Sequence, residues 1–263
     1  MRDRIRRLSW KVEFAVVLGL AFGWTLPSTL YSLAAPDMIA HRATPPISDI
    51  ALWGTIIFEL ILFSLLIPFL RARGWTLARL GIRPSLRGCL QGGVLALAAY
   101  GLYFTFTVLV GSVWPEVASA LAQTRLVTDG LSWTAIVLVS AINPFFEEIF
   151  VCGYVVSVLT HGKAEAVVAP ARVVAEGEIE SSGIETVNAV TSVPARRASL
   201  ATAVNISAAI RLSYHLYQGA AGVLSVVPLG LLFGLWFART RQLWPLIVAH
   251  AILDFVALSI GAG

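Results

Sequence analysis

The chain has 263 residues, of which 57% are hydrophobic and 13% charged, and its mean hydropathy is +0.80. That composition excludes a globule that folds in water, and because no stretch of about 100 residues lacks a long apolar run, it also excludes a separate soluble domain. The formal net charge of +4 is dispersed over short segments and forms no stripe, so the basic residues point to membrane orientation and not to nucleic acid.

A helix needs about 20 apolar residues to cross about 30 Å of hydrocarbon at about 1.5 Å per residue. Windows of that kind fall at 12–34, 47–70, 88–114, 132–158, 200–217, 220–238 and 243–261. They predict an all-α polytopic membrane protein, a bundle of about seven transmembrane helices embedded in the lipid bilayer. The first window follows Arg2, Arg4, Arg6, Arg7 and Lys11 as a signal peptide would. No Ala-x-Ala-like cleavage site follows it, and Val12 to Leu33 is long enough to span, so it reads as a retained helix. The third window opens on Gly92 and Gly93 and repeats glycine at 101 and 111, which leaves room for tilt or for a break and an eighth short segment.

Between the fourth and fifth windows, residues 161–198 carry Glu165, Glu176, Glu178, Glu180 and Glu185 with four basic residues. This reads as a cytoplasmic loop, a solvated linker before it is a regulatory tether. With the N-terminus inside, segments 1–11, 71–87, 161–198 and 239–242 hold five, five, four and two Lys or Arg, against Arg42 and Arg125 alone outside. The asymmetry predicts a cytoplasmic N-terminus in the plasma membrane and an external C-terminus. Cys89 and Cys152 lie in or beside apolar windows, where no disulfide is expected.

A charge at mid-membrane costs about 2.5–3.5 kcal/mol on insertion scales, so each one retained needs a partner or a function. The windows hold Glu59, Glu147, Glu148, Arg211, His215, His250 and Asp254, with Asn143 and Asn205 as neutral companions. Glu147 and Glu148 are adjacent on a helix and point about 100° apart. One can act as a base in a wet cavity while the other turns to a neighbouring helix; the plain alternatives are helix-gluing carboxylates or a proton path. Pro144 upstream frees a carbonyl and can kink the helix. His250 and Asp254, at i and i+4, share a face, so that Asp254 can hold the ring or both can meet a metal, a water or a carbonyl oxygen. His215 on a further helix adds a second imidazole, although a lone histidine bonded between helices is the plainer reading of it. A glutamate-activated water with histidines on the oxyanion, or the same ligands around zinc, would each hydrolyse a peptide. Counted from the cytoplasmic ends, Glu147 and His215 lie deeper than His250, by up to about 10 Å.

In this order and placement the residues resemble the CAAX prenyl endopeptidase and bacteriocin-processing superfamily, the Abi family. Its pattern is Glu-Glu-x-x-x-Arg, then Phe-x-x-x-His, then His-x-x-x-Asp or Asn, on three membrane helices. Glu147-Glu148, His215 and His250-Ala-Ile-Leu-Asp254 match it, with Gly153-Tyr154, His215 to Gly219 and the segment Gly74 to Pro84 also similar. The resemblance covers about 71–258. It implies that 1–70 are two N-terminal transmembrane helices and that 71–263 form the catalytic membrane core. It further implies an intramembrane endopeptidase acting on a membrane-associated peptide or protein, prenylated or bearing a leader. Glu147 would be the water-activating base, Glu148 its companion carboxylate, His215 its assistant, and His250 with Asp254 the oxyanion side. Members are described both as metal-independent and as metalloproteases; a divalent metal, zinc, would fall to Glu147, His215 and His250.

The chain departs from the pattern at Cys152, which replaces the motif arginine, and at Arg211, which replaces the motif phenylalanine; the loop between the first two motifs is also longer. An arginine at 152 would pair with Glu148 one turn away, so Arg211 is expected to supply that charge from the neighbouring helix, the plain alternative being that it reaches an aqueous cavity alone. Two rival functions follow from the same residues. Loss of the motif arginine fits a non-catalytic scaffold or immunity protein, and Glu59 with the other buried carboxylates fits a proton-coupled transporter.

Overall fold

Residues 8–34, 47–115, 130–160, 198–216 and 219–260 are described by the computed structural model. Five of the helices begin where the sequence offers a cap: Ser9, Ser48, Ser85, Ser132 and Ser199 accept the backbone N–H three residues on. They open α1 (Trp10–Phe22), α3 (Asp49–Ala72), α4 (Leu86–Val113), α5 (Trp133–Glu147) and α7 (Leu200–His215). A 3₁₀ turn, Gly23–Thr25, separates α1 from α2 (Leu26–Ala34). Helix α5 runs on as a π-helix, Glu148–Val156, into α6 (Ser157–Thr160). The set is completed by α8 (Gly219–Thr240) and α9 (Trp244–Ile260).

Among the described residues the chain is an all-helical membrane bundle with no strand, and its helical stretches occupy the seven predicted windows. Trp10–Tyr31, Asp49–Ala72, Leu86–Val113 and Trp133–Thr160 are long and apolar enough to cross a bilayer; Val226–Thr240 and Trp244–Ile260 are apolar but shorter. The third window, which left room for tilt or a break, forms one unbroken helix, α4. Two of its glycines serve helix contact instead. A Cβ on Gly88 would stand 2.7 Å from Trp244 Cδ1, and one on Gly92 2.6 Å from Val248 Cβ, so α4 and α9 approach as small residues in membranes permit. The break falls in the first window, at Gly23–Thr25, where Pro27 follows without an N–H to continue the ladder.

Segments 71–87 and 239–242, with Leu8 and Ala198 at the described edges of the other two basic segments, lie at one end of the bundle. There Leu243 N donates to Gly81 O at 2.8 Å, Arg241 Nη2 donates to Ser157 Oγ at 2.8 Å, and Ala198 N donates to Leu159 O at 2.9 Å. Gly81 takes a positive φ of 82°, and a Cβ on it would meet Arg241 O at 2.5 Å, so only glycine fits this crossing. Glu13 accepts from Trp75 Nε1 at 2.6 Å and from Tyr154 OH at 3.5 Å, and it pairs with Arg73, whose Nη2 reaches Leu8 O at 2.7 Å. At the opposite end Asp49 Oδ1 accepts both the N–H and the hydroxyl of Ser132, at 2.8 and 2.9 Å. Glu13 and Asp49 both fall inside predicted windows, yet neither is among the buried charges read from the sequence. The predicted loop at 161–198 lies outside the described residues except for Ala198.

Candidate active site

The π-helix carries the centre. Pro144 has no N–H, which leaves the turn around Ser140 without its α-helical bond, and from Glu148 the chain winds to i→i+5 bonds before closing again at Ser157. Every residue of Glu148–Val156 is buried. Gly153 lets the segment pass close to its neighbours, since a Cβ there would stand 3.0 Å from Leu243 Cδ2 and 3.2 Å from Leu80 O. Helix α7 lies along the same segment, where Ser207 Oγ donates to Val151 O at 2.9 Å and Cys152 Sγ stands 4.0 Å from Ser207 Oγ.

One turn further along α7, Arg211 is 1% exposed and reaches both carboxylates. Its Nη1 is 3.0 Å from Glu147 Oε2 and its Nη2 is 2.6 Å from Glu148 Oε1. A single guanidinium therefore satisfies two buried charges, with bonds to each side of its fork. Its rear is covered by the Phe233 ring, whose centroid lies 5.9 Å from the guanidinium carbon. The two glutamates are not divided between tasks as completely as their 100° separation suggests, because Arg211 bridges them.

His250 closes the other side of Glu148: its Nδ1 stands 2.8 Å from Glu148 Oε1. Its Nε2 faces Asp254 Oδ1 at 3.4 Å and Glu147 Oε2 at 4.0 Å. The depth difference counted from the helix ends is absorbed, and α9 delivers His250 to the carboxylate pair. Both ring nitrogens are thereby turned to carboxylates, and His250 and Asp254 are not part of the lining of the cavity beside Glu147.

That cavity, about 430 Å³, is lined by α1, the 3₁₀ turn Gly23–Thr25, α3, α5 and α7. Glu147, His215, Tyr214, Asn143 and Glu59 supply its polar wall, and Phe22, Trp24, Phe58 and Phe146 its aromatic wall. The two oxygens of Glu147 are treated differently. Oε2 accepts from Arg211 and, at 2.7 Å, from Tyr214 OH. Oε1 faces His215 Nε2 at 3.8 Å and Asn143 Nδ2 at 3.4 Å, neither a tight bond. The same Asn143 amide donates to Glu59 Oε1 at 2.7 Å. Of the eight buried side-chain atoms without a partner among the described residues, four, Glu59 Oε2, Glu148 Oε2, Arg211 Nε and His215 Nδ1, belong to this one region. Tyr214 was missed in the sequence, where it reads as one more apolar neighbour of His215; its position four residues after Ile210 on the Arg211 face was the only signal.

A divalent ion held by Glu147, His215 and His250 does not fit this arrangement. The two imidazoles face different oxygens of Glu147, Oε2 is already taken by Arg211 and Tyr214, and His250 Nδ1 is bound to Glu148. Among the described residues no group of three His, Cys, Asp or Glu side chains is arranged to hold a metal.

In class, then, the chain is a polytopic helical membrane protein with a buried centre of carboxylates, guanidinium and imidazoles beside a cavity. Residues 129–256, which hold all of that centre except Glu59, match the family model described as type II CAAX prenyl endopeptidase, Rce1-like. Over this segment, just under half of the chain, it is similar to the type II CAAX prenyl endopeptidases. Comparison with curated proteins and with solved structures gives no match.

Proposed function

We propose that the protein hydrolyses a peptide bond of a membrane-associated substrate, with Glu147 activating a water in the 430 Å³ cavity. The observation that carries this reading is the asymmetry of Glu147. Oε2 is anchored by Arg211 and Tyr214, while Oε1 is turned to the cavity beside His215. In this mechanism Oε1 takes a proton as the water oxygen bonds to the peptide carbonyl carbon. The resulting oxyanion accepts a hydrogen bond from His215, whose side chain is 18% exposed to the cavity. The carbon–nitrogen bond then breaks and Glu147 returns the proton to the leaving amine. His250, Asp254 and Glu148 act behind the base as positioning groups, since His250 faces the carboxylates and not the cavity. A zinc-dependent variant would require these side chains to rearrange; activity lost to a chelator and restored by zinc is the result that supports it.

The substrate is proposed to be a membrane-borne peptide or protein, prenylated or bearing a leader. An apolar cavity of about 280 Å³, lined by Leu60, Phe63, Ile67, Phe145 and Ile149, lies on another face of α3 and α5 and suits an acyl or prenyl tail. The orientation proposed is N-terminus cytoplasmic in the plasma membrane, supported by the uneven count of basic residues along the sequence and by the meeting of segments 71–87 and 239–242 at one end. Labelling of Ser182→Cys from outside intact cells would reverse it.

A second reading, a non-catalytic scaffold, has its own support. Arg211 occupies both carboxylates from one guanidinium, an arrangement that also suits a purely structural ion cluster. The two are separated by incubating purified protein with quenched fluorescent peptides. Hydrolysis that disappears in Glu147→Gln supports the protease; no cleavage by either protein supports the scaffold.

A further inference from the structure

Glu59 sits midway along α3, is 4% exposed, and has no role in the mechanism above. A carboxylate at that depth in a membrane helix is costly and is expected to have a partner. Its Oε1 has one, the Asn143 amide at 2.7 Å. Its Oε2 is buried without any, and Glu59 is part of the lining of the cavity that Glu147 and His215 share. Among the described residues no cationic side chain pairs with it, because the one guanidinium of this centre spends Nη1 on Glu147 and Nη2 on Glu148.

Charge makes the same point. Glu59, Glu147, Glu148 and Asp254 face a single arginine, so with neutral histidines the centre lacks positive charge. The wall next to Glu59 is aromatic: Trp24 and Phe58 lie with ring centroids 5.2 Å apart, and both line the cavity. An unpaired carboxylate oxygen beside aromatic rings in a low-dielectric cavity is a combination that favours a cation, through a charge-assisted hydrogen bond and ring attraction together. Asn143 fixes the spacing, its Nδ2 standing between Glu59 Oε1 and Glu147 Oε1.

We propose that Glu59 is the anionic end of a substrate subsite and receives a cationic side chain, lysine or arginine, within a residue or two of the scissile bond. This rests on the reading that Glu147 hydrolyses the peptide. Asn143 is the positioning residue that holds Glu59 at this distance from the base. Proton storage on Glu59 is the competing use of the same oxygen, and it makes no demand on substrate charge.

The test uses quenched peptides identical except at one position near the scissile bond, which carries lysine, norleucine or glutamate. The lysine peptide is expected to exceed the norleucine peptide in kcat/KM by roughly tenfold, as one charge-assisted bond would give. That ratio should fall toward one in Glu59→Gln and turn in favour of glutamate in Glu59→Lys. A ratio taken on one preparation does not depend on how much of it is folded. Equal rates for lysine and norleucine at every scanned position, or a lysine preference that survives Glu59→Gln, would overturn the subsite. A second arm needs no hydrolysis. The 2-phenylethylammonium ion should raise the Tm of the unmodified protein in detergent, and 2-phenylethanol should not. Equal shifts from both overturn the proposal even if no peptide is cut, whereas a shift from the amine alone sustains it apart from the protease reading.

Discussion

At the basic end of the bundle Glu13 is enclosed by Arg73, Trp75 and Tyr154, whereas on the helix that carries Tyr154, six residues earlier, Glu148 and its neighbour Glu147 share Arg211. Both are buried ion clusters tied to one π-helical segment, and both fasten helices distant in sequence. They differ in completeness. The Glu13 cluster offers one carboxylate an arginine, an indole and a phenol. The Arg211 cluster offers two carboxylates one guanidinium, and orphaned atoms on Glu148, Arg211, His215 and Glu59 surround it, next to a cavity of about 430 Å³. Unsatisfied polar groups in a membrane interior are costly and persist where they have work to do. The comparison therefore separates a clamp from a site, and substitutions in each should fail in different ways.

The largest difference is expected in catalysis. Glu147→Gln keeps the shape of the side chain but cannot accept a proton, and should lower peptide hydrolysis by about 10²–10⁴-fold with the protein still folded in detergent. Cleavage at the unmodified rate would remove Glu147 from the mechanism. His215→Ala should also lose most activity, because no other described side chain stands beside Glu147 Oε1 except Asn143.

Arg211 should affect folding and activity together. Arg211→Leu leaves two carboxylates buried without their shared cation, a loss of about 3–5 kcal/mol that a melting curve will register. Cys152→Arg in that background should recover much of it, since position 152 is one turn from Glu148 and faces α7 beside Ser207. A double-mutant cycle between Arg211→Leu and Glu148→Gln that gives no coupling would refute the shared ion pair as an energetic unit. Arg73→Leu is the control from the other cluster. It should lower Tm by a comparable breaking of a buried pair, about 3 kcal/mol, while kcat/KM of the protein that remains folded stays within about twofold. A selective loss of kcat there would mean that the two clusters are not separate.

The legible part of this molecule follows from the cost of polarity in lipid. In an apolar window Glu147, Glu148, His215 and His250 stand out as residues that need a reason, and three windows holding them in family order made their convergence conceivable, though the depth count alone did not establish it. Arg211 was legible for the same reason, as a cation displaced from position 152. Other features leave no such trace. The π-helix from Glu148 depends on how α7 and α9 pack against it, and its sequence reads as an ordinary apolar helix. Glu13 stands next to basic residues near a window's edge, where a carboxylate looks solvated, and its burial comes from the distant Arg73 and Trp75. Glu59 reads as a sign of proton transport until Asn143, 84 residues on, is seen to join it to Glu147. The spread in depth counted from the helix ends did not keep His250 from the carboxylates, since such a count does not register how neighbouring helices pack.

The smallest effect expected is at the seam that places His250. On α4, Gly92 and Gly93 are neighbours, but a Cβ on Gly92 would stand 2.6 Å from Val248 Cβ and 2.9 Å from Pro245 O, while one on Gly93 meets nothing within 4 Å. Gly92→Ala must therefore push α9 away, at a cost of about 1–3 kcal/mol for an overpacked contact. Gly93→Ala gains up to about 1 kcal/mol of helix preference with nothing to disturb. Val248 is two residues from His250, so the displacement in Gly92→Ala also carries the imidazole away from Glu148 Oε1, its partner at 2.8 Å. A modest drop in kcat should accompany the lower Tm in Gly92→Ala and be absent from Gly93→Ala. Should Gly92→Ala lose stability with kcat untouched, His250 would belong with Glu13 among the groups that only hold helices together.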